Sequence, residues 1–273
     1  MSTKAHIARI AAALERLSPP PPPEADPARG SHFRWVAGRL AAVPAAAPEP
    51  LDLFVGVDAQ IGALRQNLGA LAAGTVAHDM LLWGARGTGK SALVRAVAAD
   101  RGVALVETAA DRLDTLPDLF ERLRGVFRPF LVYVDDLAFA AADPHVRSLR
   151  SLLDGGIAAR PANVRLAVTS NHRHLVEREP AAGDAPRHAR DVADDQLALV
   201  DRFGLVLGFH VPSQDDYLEM VRRHLAADGL AFDPTDALAF ALARGSRSGR
   251  TAWHYRTECL ARAVTSAGRD AAP

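Results

Sequence analysis

The sequence predicts an α/β protein: a parallel-sheet core, a small all-α unit after it and a helical segment ahead of it. Two observations carry that prediction. First, short apolar runs recur from residue 80 onward: MLLW (80–83), VALVET (103–108), FLVYV (130–134), VRLAVTS (164–170) and LVLGFHV (205–211). Helix-like segments near 90–100, 115–124, 143–153 and 195–203 separate them. Continuous apolar strands alternating with helices are the pattern of a parallel sheet covered on both faces. Second, the strand pattern stops at Pro212. Helical periodicity then runs through segments near 213–227, 234–244 and 249–266, which predicts a compact α-helical lid.

Ahead of the first strand, residues 4–17 place Ile7, Ile10, Ala11, Leu14 and Leu17 near one helical face. The proline run Pro19–Pro23 ends that helix, because proline lacks an N–H donor and favours an extended chain. A second short amphipathic stretch at 31–43 leads into the linker PAAAPEP. Residues 1–50 therefore read either as a helical arm on a tether or as an extension packed on the core. On the first reading, residues 1–46 are dispensable for ligand binding. The expected units are 1–50, 51–212 and 213–273.

Composition narrows the function classes. Lys plus Arg and Asp plus Glu are each 32, so no global positive charge marks a nucleic-acid binder. Cys259 is the sole cysteine, which excludes an intramolecular disulfide and fits a reducing cytoplasm. No Cys/His cluster has zinc spacing, no apolar run is long enough to span a bilayer, and no membrane partner is expected. The segment 177–195 reads as a polar loop, and its His188 has no metal-site spacing.

The chemistry-bearing motif is GARGTGKS at 84–91, which matches G-x-x-x-x-G-K-[ST]. An apolar strand enters it and a helix leaves it, as a phosphate-binding loop requires. The segment Gly84, Ala85, Arg86, Gly87, Thr88, Gly89, Lys90 and Ser91 is the candidate nucleotide cradle. Backbone N–H groups and a helix N-terminus there favour anionic oxygens. Lys90, expected to face solvent without nucleotide, would reach the β- and γ-phosphates, and the Ser91 hydroxyl would ligate Mg²⁺. Downstream, FLVYVDDL ends an apolar strand in two carboxylates. Asp135 is the candidate metal ligand and Asp136 the candidate group that polarises the attacking water.

The ordered set of P-loop, DD strand, TSN strand, RFG and an α-helical segment with SGR resembles the AAA+ superfamily of P-loop ATPases over about residues 51–265. More narrowly, WGARGTGKS, DDLAF, LLDGGIAARPANV, TSNHRHL, DRFGL and GSRSGR resemble a bacterial AAA+ family classed as a domain of unknown function. The resemblance implies ATP and Mg²⁺ as ligands. It makes Asn171 a polar sensor beside the γ-phosphate, the alternative being a helix cap. It makes Arg202 an arginine finger directed at a neighbouring subunit, the alternative being a local salt bridge with Asp201 or an acidic residue in 191–195. Arg250, preferred over Arg247, takes the place of a second sensor. Phe54, Val55 and Gly56 match the segment that packs on adenine, or else simply fill core. AAA+ proteins commonly carry Glu where Asp136 stands, and the shorter acid points to less efficient hydrolysis. The function expected is ATP hydrolysis by a homo-oligomer that remodels an unidentified protein or nucleic-acid client. The alternatives are a nucleotide-gated switch with slow or no turnover, or a DNA-associated loader drawing on arginines near 244–256.

Overall fold

A computed structural model describes residues 24–137, 144–155, 160–171 and 198–270, with helical positions 3, 4, 6, 7, 9, 13 and 16 ahead of them. The proline run and the 177–195 segment lie outside the described residues, as does part of the helix expected at 195–203.

The chain order is β1 (His32–Val36), β2 (Arg39–Ala42), α1 (Asp58–Ala72), β3 (Met80–Gly84) and α2 (Lys90–Asp100). Next come β4 (Ala104–Thr108), α3 (Leu116–Leu123), β5 (Phe130–Val134), α4 (Pro144–Leu153), β6 (Val164–Ser170) and β7 (Leu205–Phe209). Helices α5 (Gln214–Ala227), α6 (Pro234–Ala243) and α7 (Gly249–Asp270) complete the described chain.

The strands form one sheet in the order β2-β1-β4-β5-β6-β3-β7. All neighbours are parallel except the β1–β2 pair. Side chains alternate between the two faces of a strand, and the core divides accordingly. Phe130, Val132 and Val134 of β5 join α3 residues Leu116, Leu119, Phe120 and Leu123 on one face. Leu131 and Tyr133 point the other way, into a cluster with Leu64, Leu68 and Leu71 of α1 and Leu93, Val94 and Val97 of α2. Every residue of β3 and β5 is buried. That accounts for their unbroken apolar sequences, since both faces are dry.

The stretch 31–43 is not part of a detached arm. Residues 32–42 form a β-hairpin whose first strand pairs in parallel with β4, His32 opposite Leu105 and Trp35 opposite Thr108. The hairpin turns at Ala37 and Gly38, with φ of 50° and 70°. That is the all-positive geometry that suits the strand twist and that glycine adopts without cost. Phe33, Trp35 and Leu40 are 1–2% exposed and sit in the main core, while Val36 faces out at 47%. Trp35 Nε1 also donates to Thr115 Oγ1 at 2.8 Å. Aromatic burial on this scale outweighs the helical reading of the segment, so the alternative of an extension packed on the core holds for residues 32–42.

Helices α5–α7 surround their own small core of Tyr217, Met220, Val221, Leu225, Ala237, Ala241, Ala252 and Tyr255. The starts of α5 and α6 are capped. Ser213 and Asp216 make a reciprocal capping box, and the Asp233 carboxylate accepts from the Thr235 and Asp236 amides. Val55 packs against this cluster and Phe54 against the α1–α2 face of the sheet, so the segment before α1 ties the two cores together.

Candidate functional site

The loop between β3 and α2 lies at the carboxyl end of the sheet, where ligands bind in open α/β folds. Its first residue is fixed by a backbone approach. Gly84 has φ of 129°, and a Cβ there would stand 2.0 Å from the Phe209 carbonyl oxygen on β7. Ala85 N–H donates to that same oxygen at 3.1 Å. Gly87 and Gly89 also have positive φ, and the Phe54 ring closes the space behind Gly89.

Lys90 does not face solvent. It is 6% exposed. Its ammonium folds back over the loop, donating to the Gly84 carbonyl at 2.9 Å, the Ala85 carbonyl at 2.8 Å and Asn171 Oδ1 at 2.9 Å. Three acceptors match its three N–H donors, which is what lets the charge be buried. Burial lowers its pKa, the Asp135 and Asp136 charges oppose that, and the like charges of Arg250 and Arg86 add to it.

The acidic strand end is held by hydroxyls. Asp135 Oδ1 accepts from Thr169 Oγ1 at 2.5 Å, Tyr133 Oη at 2.6 Å and Ser91 Oγ at 2.8 Å. Burial pushes this carboxyl up, but the three donors outweigh it and hold the group below the usual carboxylate range. The same geometry raises the Tyr133 phenol, by burial first and then by its bond to Asp135.

Asp136 adopts φ of 51°, a left-handed conformation that costs of order 1 kcal/mol for a residue with a side chain and concentrates at functional sites. Its N–H donates to Thr169 Oγ1 at 2.9 Å, and Asn171 Nδ2 donates to its Oδ1. Asn171 therefore joins Lys90 to Asp136, its oxygen accepting a hydrogen bond from the ammonium and its NH₂ donating one to the carboxylate. Arg86 Nη2 lies 3.8 Å from Asp136 Oδ2, with both side chains largely exposed.

These groups open into one cavity of about 530 Å³. It is lined by Arg86–Ala92, Arg95, Asp135, Asp136, Thr169 and Asn171 from the sheet side, by Gly249, Arg250, Trp253 and His254 from α7, and by Glu49 from the linker. Arg250 lines the cavity and its N–H donates to the Gly87 carbonyl at 3.3 Å; Arg247 does not line it. Phe54, Val55 and Gly56 stand outside this lining, with Phe54 behind the loop. Arg202 is not in the cavity either. It pairs with Asp154 at 2.5 Å rather than with Asp201, and also donates to the Ala198 carbonyl. The arginines of 244–256 are dispersed: Arg244 lies over Phe240 and Arg256 is bound to Asp228.

Sequence reading missed Tyr133, Thr169, Arg95 and Glu49. Thr169 carried a signal, being the polar residue two before the sensor candidate on a buried strand.

The residues suit a Mg²⁺-bound nucleoside triphosphate. Arg86, Lys90, Arg95 and Arg250 face the same volume as Glu49, Asp135 and Asp136, an excess of one positive charge. The Ser91 hydroxyl and the Asp135 carboxylate, 2.8 Å apart at the end of the loop, are oxygen donors of the kind Mg²⁺ takes, one or two from protein with phosphate oxygens and water completing its shell. Among the described residues no helix is long and apolar enough to cross a membrane.

No curated protein matches the sequence. Among solved structures, RuvB from Thermotoga maritima, described as a Holliday junction branch migration motor, is similar at 17% identity with a TM-score of 0.52. A point variant of the same protein is similar at 18% identity with a TM-score of 0.54. Both alignments cover 77% of this chain, which spans only 63% of the RuvB chain. The likeness shows a shared AAA+ fold. Residues 28–263 match the family model described as "Protein of unknown function (DUF815)". That match spans the hairpin, the sheet, the loop and most of α7, and the chain belongs to that family of unknown function.

Proposed function

We propose that this protein binds ATP with Mg²⁺ in the cavity beneath α7 and hydrolyses it to ADP and phosphate. The observation that supports this reading is the Lys90–Asn171–Asp136 chain of hydrogen bonds, in which one amide links the ammonium of the loop to the carboxylate at the strand end. In the reaction, Lys90 exchanges its carbonyl partners for β- and γ-phosphate oxygens. Ser91 and Asp135 would hold Mg²⁺, which would supply positive charge against the phosphates. Asp136 accepts the proton of the attacking water, Asn171 orients that water, and Arg250 closes α7 onto the phosphates. The unit binding the nucleotide is residues 51–212 extended by the hairpin, with 213–273 as its lid, and Phe54, Val55 and Gly56 bordering the base.

Arg202, turned away from its own cavity, acts on a neighbouring copy in an ATP-dependent homo-oligomer, exchanging Asp154 for that copy's phosphates. The work is done on a protein or nucleic-acid client in the cytoplasm. A second reading, a nucleotide-gated switch with slow turnover, draws support from the short Asp136 side chain and its two restraints, Asn171 and Arg86.

Nucleotide titration and phosphate release test the proposal. Lys90→Ala should lose MgATP binding, and Asp136→Asn should bind MgATP but turn it over at least 100-fold more slowly, in line with the typical contribution of a general base. Wild-type MgATP affinity in Lys90→Ala would sink the proposal. Wild-type protein that binds without turnover would leave the switch reading standing.

A further inference from the structure

The P-loop motif leaves its third position open, and this chain places Arg86 there. The guanidinium lines the phosphate cavity. Its one ion pair among the described residues is with the Asp136 carboxylate, at 3.8 Å, with the two side chains 78% and 55% exposed. That separation is too long for a good hydrogen bond, and an exposed pair of this kind stabilises little. The pair is therefore easily exchanged for a stronger one. A terminal phosphate carries more charge than a carboxylate and takes bidentate guanidinium bonds. Arg86 leaves the same loop that cradles the phosphates, so its reach to them needs only side-chain rotation.

We propose that Arg86 is a catalytic residue acting in cis: it rests on Asp136 when no triphosphate is present and moves to the γ-phosphate when one binds. The exchange does two things at once. It stabilises charge on the non-bridging oxygens of the transferring phosphoryl group, and it leaves the Asp136 carboxylate free to meet the attacking water. Arg86 forms no covalent bond. The water oxygen bonds to the γ-phosphorus, the bridging P–O bond breaks with its electron pair going to ADP, and the water proton passes to Asp136. ADP lacks the γ-phosphate, so Arg86 stays on Asp136 in the product state. The device thus distinguishes triphosphate from diphosphate within one subunit, independently of Arg202.

This inference rests on the nucleotide-binding reading above, and the experiment separates the two. Affinities for MgATP and MgADP, and single-turnover hydrolysis across a range of protein concentrations, are measured on full-length wild type, Arg86→Ala and Arg86→Lys. Arg86→Ala should keep MgADP affinity and lose about 10- to 100-fold of any preference for MgATP, the scale of a charged hydrogen bond. Turnover should fall about 10²- to 10³-fold, by the same factor at every protein concentration, with Arg86→Lys between. An Arg86→Ala variant with wild-type preference and turnover overturns the inference. One that hydrolyses faster than wild type also overturns it, since Arg86 would then be only a restraint on Asp136. Wild type without turnover still decides through the affinity ratio, and wild type that binds neither nucleotide overturns the function itself.

Discussion

Replacing Trp35 by Ala tests whether the hairpin is core. The indole is 2% exposed and lies among Phe33, Leu40 and the helix-side cluster. It donates to Thr115 Oγ1 at 2.8 Å, and the Arg122 guanidinium lies over its ring at 5.8 Å. Truncating a buried Trp to Ala costs about 3–5 kcal/mol through lost transfer energy and the cavity left behind. Thr115 keeps its bond to the Arg112 carbonyl, so no large polar penalty is added. With a urea m-value of about 3 kcal/mol/M, the unfolding midpoint should fall by roughly 1–1.7 M. The assay is urea unfolding of the full chain followed by circular dichroism, with Val36→Ala as control. Val36 is on the outward face of the same strand, so its truncation should change stability by no more than about 0.5 kcal/mol. A Trp35→Ala variant within about 1 kcal/mol of wild type would refute the placement of the hairpin in the core. By the same reasoning, deletion of residues 1–46 should now destabilise the fold rather than leave it intact.

Three further substitutions test the structure. Thr169→Val removes a donor to Asp135 and leaves the Asp136 N–H without its acceptor, costing about 1–3 kcal/mol. Because the folded Asp135 carboxyl lies below its ordinary value, the stability it contributes is present above the unfolded pKa and lost as pH falls through the folded one. The variant should therefore lose stability at higher pH on acidification than wild type, and an unchanged acid limb in pH-dependent urea melts would argue against the hydroxyl cage. Two glycines should respond in opposite directions. Gly84→Ala should not yield folded protein, since its Cβ would meet the Phe209 carbonyl at 2.0 Å. Gly62→Ala, in α1 with nothing within 4 Å of the new methyl, should stabilise by about 0.5–1 kcal/mol. A soluble, well-folded Gly84→Ala protein would contradict the close β3–β7 approach.

The parallel-sheet class, the glycine-rich loop and the acidic strand end are all legible in the residues alone. Each is a contiguous signal: an apolar strand, an eight-residue loop and the helix after it are read within a few residues of one another. The hairpin was also present in the residues, in the alternation of Phe33 and Trp35 with outward Arg34 and Val36, but five residues of β-periodicity are easily taken for part of a helix. Which partner each of these polar and charged side chains finds depends on the tertiary structure. Lys90 meets Asn171 81 positions away, Thr169 caps Asp135 across 34, and Arg202 takes Asp154 across 48. The first two meetings follow from β6 lying between β5 and β3. Strand order is settled by how helices and strand faces bury one another across the whole chain, and the alternation of local patterns carries no record of it.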